Sequence, residues 1–111
     1  MTKFHLRELA ACRSGDKGNH VNLGVVARSE KAFDLLKREL TCQRVQDFFA
    51  ATDVERVERF DLPLVGALNF VLYNCLGGGA SRSLRIDTQG KLFGTAAGEI
   101  QIEGPDDVLQ P

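Results

Sequence analysis

The chain of 111 residues has no tryptophan, one tyrosine and three cysteines, and seven phenylalanines supply most of its aromatic bulk. Cys12, Cys42 and Cys75 lie about thirty residues apart, with no Cys-x-x-Cys pair among them. An odd, widely spaced set excludes a disulfide framework and a zinc or iron–sulfur cluster. Only His5 and His20 are available as imidazole ligands or as bases for a thiol. Each cysteine therefore reads as a small core hydrophobe, and no metal or cofactor is expected. An excess of positive charge is also missing. Lys and Arg number 14 against 15 Asp and Glu, for a net charge of −1. That balance argues against nucleic acid as a partner. No apolar run is long enough to cross a bilayer, so no membrane role is expected. Arg7 and Glu8 interrupt any signal-peptide core after Met1, and a cytoplasmic chain is the expectation. With 43% hydrophobic residues, one domain can build a core without staples. We place that domain at residues 1–103, followed by a loose tail at 104–111 that holds two prolines and Asp106-Asp107.

What is present is polar and concentrated. Arg13-Ser14-Gly15-Asp16-Lys17-Gly18-Asn19 places five polar or charged side chains and two glycines between apolar segments. A turn needs a glycine and an Asn or Asp, not an Arg, a Ser and a Lys as well. Glycines let the backbone approach a ligand, and successive N–H groups in such a turn make an anion-binding concavity. Gly77-Gly78-Gly79-Ala80-Ser81-Arg82-Ser83 repeats the theme. Arg13, Ser14, Lys17, Gly78, Gly79, Ser81 and Arg82 are thus candidate ligand-binding residues for one anionic group, with the two loops expected to converge. The alternative is a pair of solvated connectors.

The remaining sequence sorts into elements. Residues 3–12 read as a strand of imperfect alternation and 20–28 as a second, β-branched strand. With 13–19 as the loop between them, a hairpin is the simplest topology. Ser29 is a good N-cap, followed by Phe33, Leu36 and Leu40 at helical spacing. Thr41 caps a second short helix with Val45, Phe48 and Phe49 on one face. Residues 54–60 read as a charged edge strand ahead of Leu62-Pro63. Residues 67–76, apolar nearly all round, read as a buried helix ended by Gly77 in the left-handed conformation. Asn69 and Asn74 would then point about 140° apart. A buried amide needs partners, and Asn69 is a candidate to offer its own to a ligand. Residues 82–87 read as a strand, 88–90 as a turn, 91–98 as a helix weakened by Gly94 and Gly98, and Ile100 and Ile102 as a last short strand. The order predicts an α+β two-layer sandwich, with a mostly antiparallel sheet and helices on one face. The other sheet face must be solvated or covered by a partner.

Several of these stretches together resemble one family. They are Arg13 to Asn19, Asn22-Leu23-Gly24-Val25, Gly66-Ala67-Leu68-Asn69-Phe70-Val71-Leu72, and Gly77-Gly78-Gly79 followed by Ser81-Arg82-Ser83-Leu84-Arg85. The combination is similar to the small ferredoxin-like domain of the acyclic terpene utilisation (AtuA-type) proteins, over roughly residues 5–103. The resemblance implies a ferredoxin-like α+β fold without an iron–sulfur cluster. It implies a domain that follows a much larger one, or a separate small protein encoded beside it. It also implies a pathway context, the catabolism of branched or terpene-derived acids as coenzyme A thioesters.

Three functions fit. The first is a small subunit or binding module of an acyl-CoA-processing enzyme, with a larger AtuA-type subunit as partner and a CoA thioester or carboxylate as ligand. Its chemistry is charge-assisted hydrogen bonding, with Arg as the planar donor. The second is a self-contained lyase or hydratase, with Asp16 as catalytic acid or base, Lys17 as its electrostatic partner and glycine N–H groups as an oxyanion hole. The third is a structural oligomerisation domain without ligand. In each case a homo-oligomer is expected. His20, Asn22, Gly24 and Val26 share the strand face that the core does not need, and its half-apolar character suits a contact on the sheet or its edge.

Overall fold

Residues 10–27 alternate buried and open side chains, and this folds them back on themselves as a hairpin. The computed structural model describes residues 1–17, 20–52, 54–74 and 91–110. β1 (Thr2–His5) leads into one helical turn, α1 (Leu6–Leu9), and then into β2 (Ala10–Lys17) and β3 (His20–Ala27). β2 and β3 pair antiparallel from Ala10↔Ala27 to Lys17↔His20. Two helices follow, α2 (Glu30–Glu39) and α3 (Cys42–Phe48). Their caps are those expected: Ser29 Oγ accepts the Ala32 N–H at 3.1 Å, and Thr41 Oγ1 accepts the Arg44 N–H at 3.2 Å. β4 (Arg56–Leu62), a short 3-10 turn (Pro63–Val65), β5 (Ala67–Tyr73), α4 (Lys91–Ala97) and β6 (Gln101–Gly104) complete the described chain.

Four strands form one antiparallel sheet in the order β2-β3-β5-β4, and β1 pairs with β6 in a separate two-stranded ribbon. Val21, Leu23, Val25, Leu68, Phe70 and Leu72 point from the sheet into a core shared with Phe33, Leu36, Val45, Phe49 and Phe93 on the helices. The two-layer α+β sandwich is therefore as expected, with β4 at an edge.

Four expectations are corrected. Residues 3–12 are not one strand. Leu6 and Leu9, three apart and fully buried, favour a helical turn, and Glu8 accepts the His5 N–H at 2.7 Å. Carbonyls of Ile100 and Gly98 take the N–H groups of Leu6 and Arg7, which closes the turn against the end of the chain. Residues 13–17 are strand rather than loop, because pairing with β3 satisfies their backbone and overrides their turn chemistry. Residues 67–73 are the central strand β5, not a helix. Each residue from Ala67 to Leu72 is paired with both β3 and β4, and burial alternates with a period of two. The C-terminal stretch packs instead of hanging loose. Val108 is buried, and Thr2 Oγ1 donates to Asp106 at 2.5 Å.

Gly66 has φ of 63°, a left-handed conformation that suits glycine. It ends the Pro63–Val65 turn, and its carbonyl accepts the Ala27 N–H at 2.9 Å. That bond ties the end of β3 to the start of β5. The expected strand at 82–87, the turn at 88–90 and the end of the expected helix beyond residue 74 lie outside the described residues. Among the described residues, no helix is long and apolar enough to cross a membrane.

Candidate functional site

Strand alternation assigns each candidate to one of two sheet faces. Cys12 and Ser14 share the core face of β2, opposite Val25 and Leu23. Arg13 and Gly15 share the open face, opposite Gly24 and Asn22. Gly24 in turn faces Asn69 across β5, and Asn69 faces Phe60 on β4. Arg13, Gly24, Asn69 and Phe60 thus form one row across the open face. Arg13 and Asn69, far apart in sequence, are brought together there.

Gly24 is what opens this row. A Cβ built on it would meet the Arg13 carbonyl oxygen at 3.8 Å and Asn69 Oδ1 at 3.9 Å. Without one, a stretch of backbone lies uncovered between a cation and an amide. Asn69 Nδ2 donates to Asn22 Oδ1 at 2.7 Å, which fixes both half-buried amides in place. Each amide retains capacity beyond that one bond. Among the described residues Arg13 has no ion-pair partner. A fixed amide pair beside an exposed guanidinium can hold a carboxylate or phosphate through charge-assisted hydrogen bonds.

Ser14 takes a different part. Its Oγ accepts the Gly94 N–H at 2.6 Å, so it anchors α4 from the core side. The backbone of Asp16 and Lys17 belongs to β2, opposite Val21 and His20. Their side chains lie outside the described residues, as do Gly78, Gly79, Ser81 and Arg82, and with them the expected convergence of the two loops.

The next part of the open face holds a cluster the sequence reading did not assemble. His20 and Tyr73 meet edge to face at 4.9 Å, and the Arg56 guanidinium sits 4.1 Å from the Tyr73 ring centre. The Tyr73 hydroxyl donates to the Glu58 carboxylate. That bond, with burial and the carboxylate's charge, pushes the phenol pKa up, against an opposing pull from Arg56. Tyr73 is therefore a proton donor at neutral pH and not a base. His20 Nδ1 accepts the Asn74 N–H at 2.9 Å, so a neutral ring carries its proton on Nε2. The signal for this cluster was the alternation of His20, Asn22 and Gly24 on β3; its partners came from strands that pair only in three dimensions.

Cys12 does not add a nucleophile. Burial pushes its pKa from 9.0 to about 11, and Arg28 opposes the rise only in part. A thiol whose folded pKa lies above its unfolded one stabilises the fold fully below pH 9, and this contribution is lost as pH rises towards about 11. At pH 7.5 native Cys12 should alkylate at least tenfold more slowly than in urea. Equal rates, measured by mass spectrometry of the Cys12 peptide, would contradict the buried thiol.

A family model described as the AtuA ferredoxin-like domain matches residues 4–103. The chain belongs to this family. The match runs from Phe4 in β1 to Glu103 in β6 and so takes in nearly all of the described strands, and the sandwich is the ferredoxin-like α+β fold of the family. No curated protein and no solved structure matches this AtuA ferredoxin-like domain.

Proposed function

We propose that this AtuA ferredoxin-like domain is a binding module, the small subunit of an acyl-CoA-processing assembly in branched or terpene-derived acid catabolism. Its ligand is the anionic part of a CoA thioester or of the free acid. The observation that carries this reading is the row of Arg13, Gly24 and Asn69 on a sheet face that the domain's own described helices leave open. The pathway rests on the family. The larger AtuA-type subunit supplies the walls that a flat sheet lacks, since ligand sites are concave and enclose most of their ligand.

Calorimetric titration tests the site, using a branched-chain acyl-CoA, the matching free acid and the matching pantetheine thioester. Binding of the first or second is expected, and Arg13→Ala should weaken it at least tenfold. Asn69→Ala should weaken it less. Affinity within twofold of wild type in Arg13→Ala would remove Arg13 from the site. Tight binding of the uncharged pantetheine thioester would remove the anion from the argument.

A further inference from the structure

Five large apolar side chains are exposed in one continuous region. Val26, Phe60 and Leu62 occupy one corner of the open sheet face, at 47%, 49% and 47% exposure. Val26 and Leu62 flank Ala67 in a single row. The turn that follows projects Leu64 and Val65, exposed at 101% and 67%. Pro63, Leu64 and Gly66 form one wall of a groove of about 480 Å³, with Phe33 and Ala27 among its other walls and Arg28, Glu30 and Asp34 also lining it.

We propose that a second copy of this chain covers this region, with each copy's Pro63–Val65 turn seated in the other's groove. Three features select a second copy. The projection and the groove adjoin, so a two-fold axis beside Leu64 makes each meet the other, as an isologous contact requires. The turn, Pro63-Leu64-Val65-Gly66, carries no charge, so it brings no ion of its own out of water, and its apolar side chains match the Phe33 and Ala27 walls while Arg28, Glu30 and Asp34 stay at the rim. The apolar side chains expose roughly 500 Å², and with a polar rim this approaches the ~800 Å² per partner of a stable interface. An apolar region of that size on a lone monomer is at the upper end of what is ordinary.

The proposal goes beyond the binding function and meets its site only at Phe60, at the end of the Arg13–Asn69 row. Leu64 and Val65 belong to neither the Arg13–Asn69 row nor the core. Light scattering coupled to size-exclusion chromatography, over a range of micromolar concentrations, is the test. Wild type should run at twice the 12.2 kDa of one chain. Leu64→Glu and Val65→Glu should each run at the mass of one chain, with an unchanged melting temperature and circular dichroism spectrum, because neither side chain is in the core. A wild type at single-chain mass throughout would overturn the proposal. So would a Leu64→Glu variant that keeps the doubled mass. A chain that is monomeric alone, yet captures a large AtuA-type subunit through Leu64, would assign the region to that subunit and overturn the second copy. Titration of the monomeric Leu64→Glu variant with acyl-CoA keeps the two readings separable, since ligand binding should survive there.

Discussion

Phe70→Ala should destabilise the domain by about 3–5 kcal/mol. Phe70 is fully buried at the centre of β5, with Leu23 beside it on β3 and Arg59 beside it on β4. Truncation removes the ring's transfer free energy and leaves a cavity between strands that are paired on both sides and cannot collapse into it. A domain of this size has a total stability of roughly 5–15 kcal/mol, so the variant sits near the edge of folding. Val71→Ala, one residue further and on the open face, should cost about 1 kcal/mol or less. Urea melts of Leu68→Ala, Val71→Ala and Leu72→Ala beside Phe70→Ala read out the period directly. A large loss at Val71 with a small one at Leu72 would refute the register of β5.

Gly94→Val should cost roughly 3 kcal/mol, the upper part of the range for overpacking. Gly94 lies in α4 where the helix crosses β2. A Cβ there would stand 3.0 Å from the Ser14 nitrogen and 3.1 Å from the Arg13 carbonyl carbon. Both are backbone atoms of a paired strand, which has no rotamer to yield. Alanine at this position gains up to about 1 kcal/mol of helix propensity and loses at least as much to the same contact. Valine adds bulk without that gain. The clash pushes α4 off β2 and stretches the 2.6 Å bond from Gly94 N–H to Ser14 Oγ. Because Arg13 is the next residue on the strand, acyl-CoA affinity should fall along with stability. Thr95→Ala, exposed on the same helix, should stay within about 0.5 kcal/mol of wild type. A Gly94→Val variant as stable as wild type would mean that α4 does not approach β2 this closely.

Local chemistry was legible where one residue decides one bond. Ser29 and Thr41 begin their helices because a hydroxyl meets a free N–H, and neither needs a distant partner. The charged edge strand, expected at 54–60 and found at Arg56–Leu62, was legible because an edge faces water on one side. Residues 67–73 were not. Ala67, Leu68, Phe70, Val71 and Leu72 are apolar on both faces of the strand, and this hides the period of two that would separate strand from helix. Arg13 to Lys17 failed in the opposite direction. Their turn-forming residue types were given more weight than the backbone pairing that β3 offers. At Leu6–Leu9 the spacing of two buried leucines was present in the sequence, but a single turn is too short for a periodic pattern to stand out.

The candidate site inherits both errors. Arg13 and Asn69 were picked for their chemistry, one from a supposed loop and the other from a supposed helix. Neither assignment places them side by side. Their meeting depends on the β3–β5 register, which the core residues Leu23, Val25, Leu68 and Phe70 fix from the other face of the sheet. A one-residue slip would send Asn69 inward and Phe70 outward. Ser14 was picked for the same chemistry as Arg13, but the pleat turns it to α4. Residue type picks out which side chains have the chemistry to hold an anion, and only parity along the strand sorts which neighbour faces which way.

The pairing of β1 with β6 has a consequence for synthesis. Within the domain Thr2–His5 is synthesised well ahead of the strand that receives it, Gln101–Gly104. About 100 residues must be added in between, which takes roughly 5–20 s at ordinary elongation rates. During that interval the hairpin β2–β3 and helix α2 can form from neighbouring sequence, while Phe4 and Leu6 wait without Ile100 and Ile102. The nascent domain therefore carries an unpaired β1 until Gln101–Gly104 has been made, and the seam between the two is a late contact of the fold.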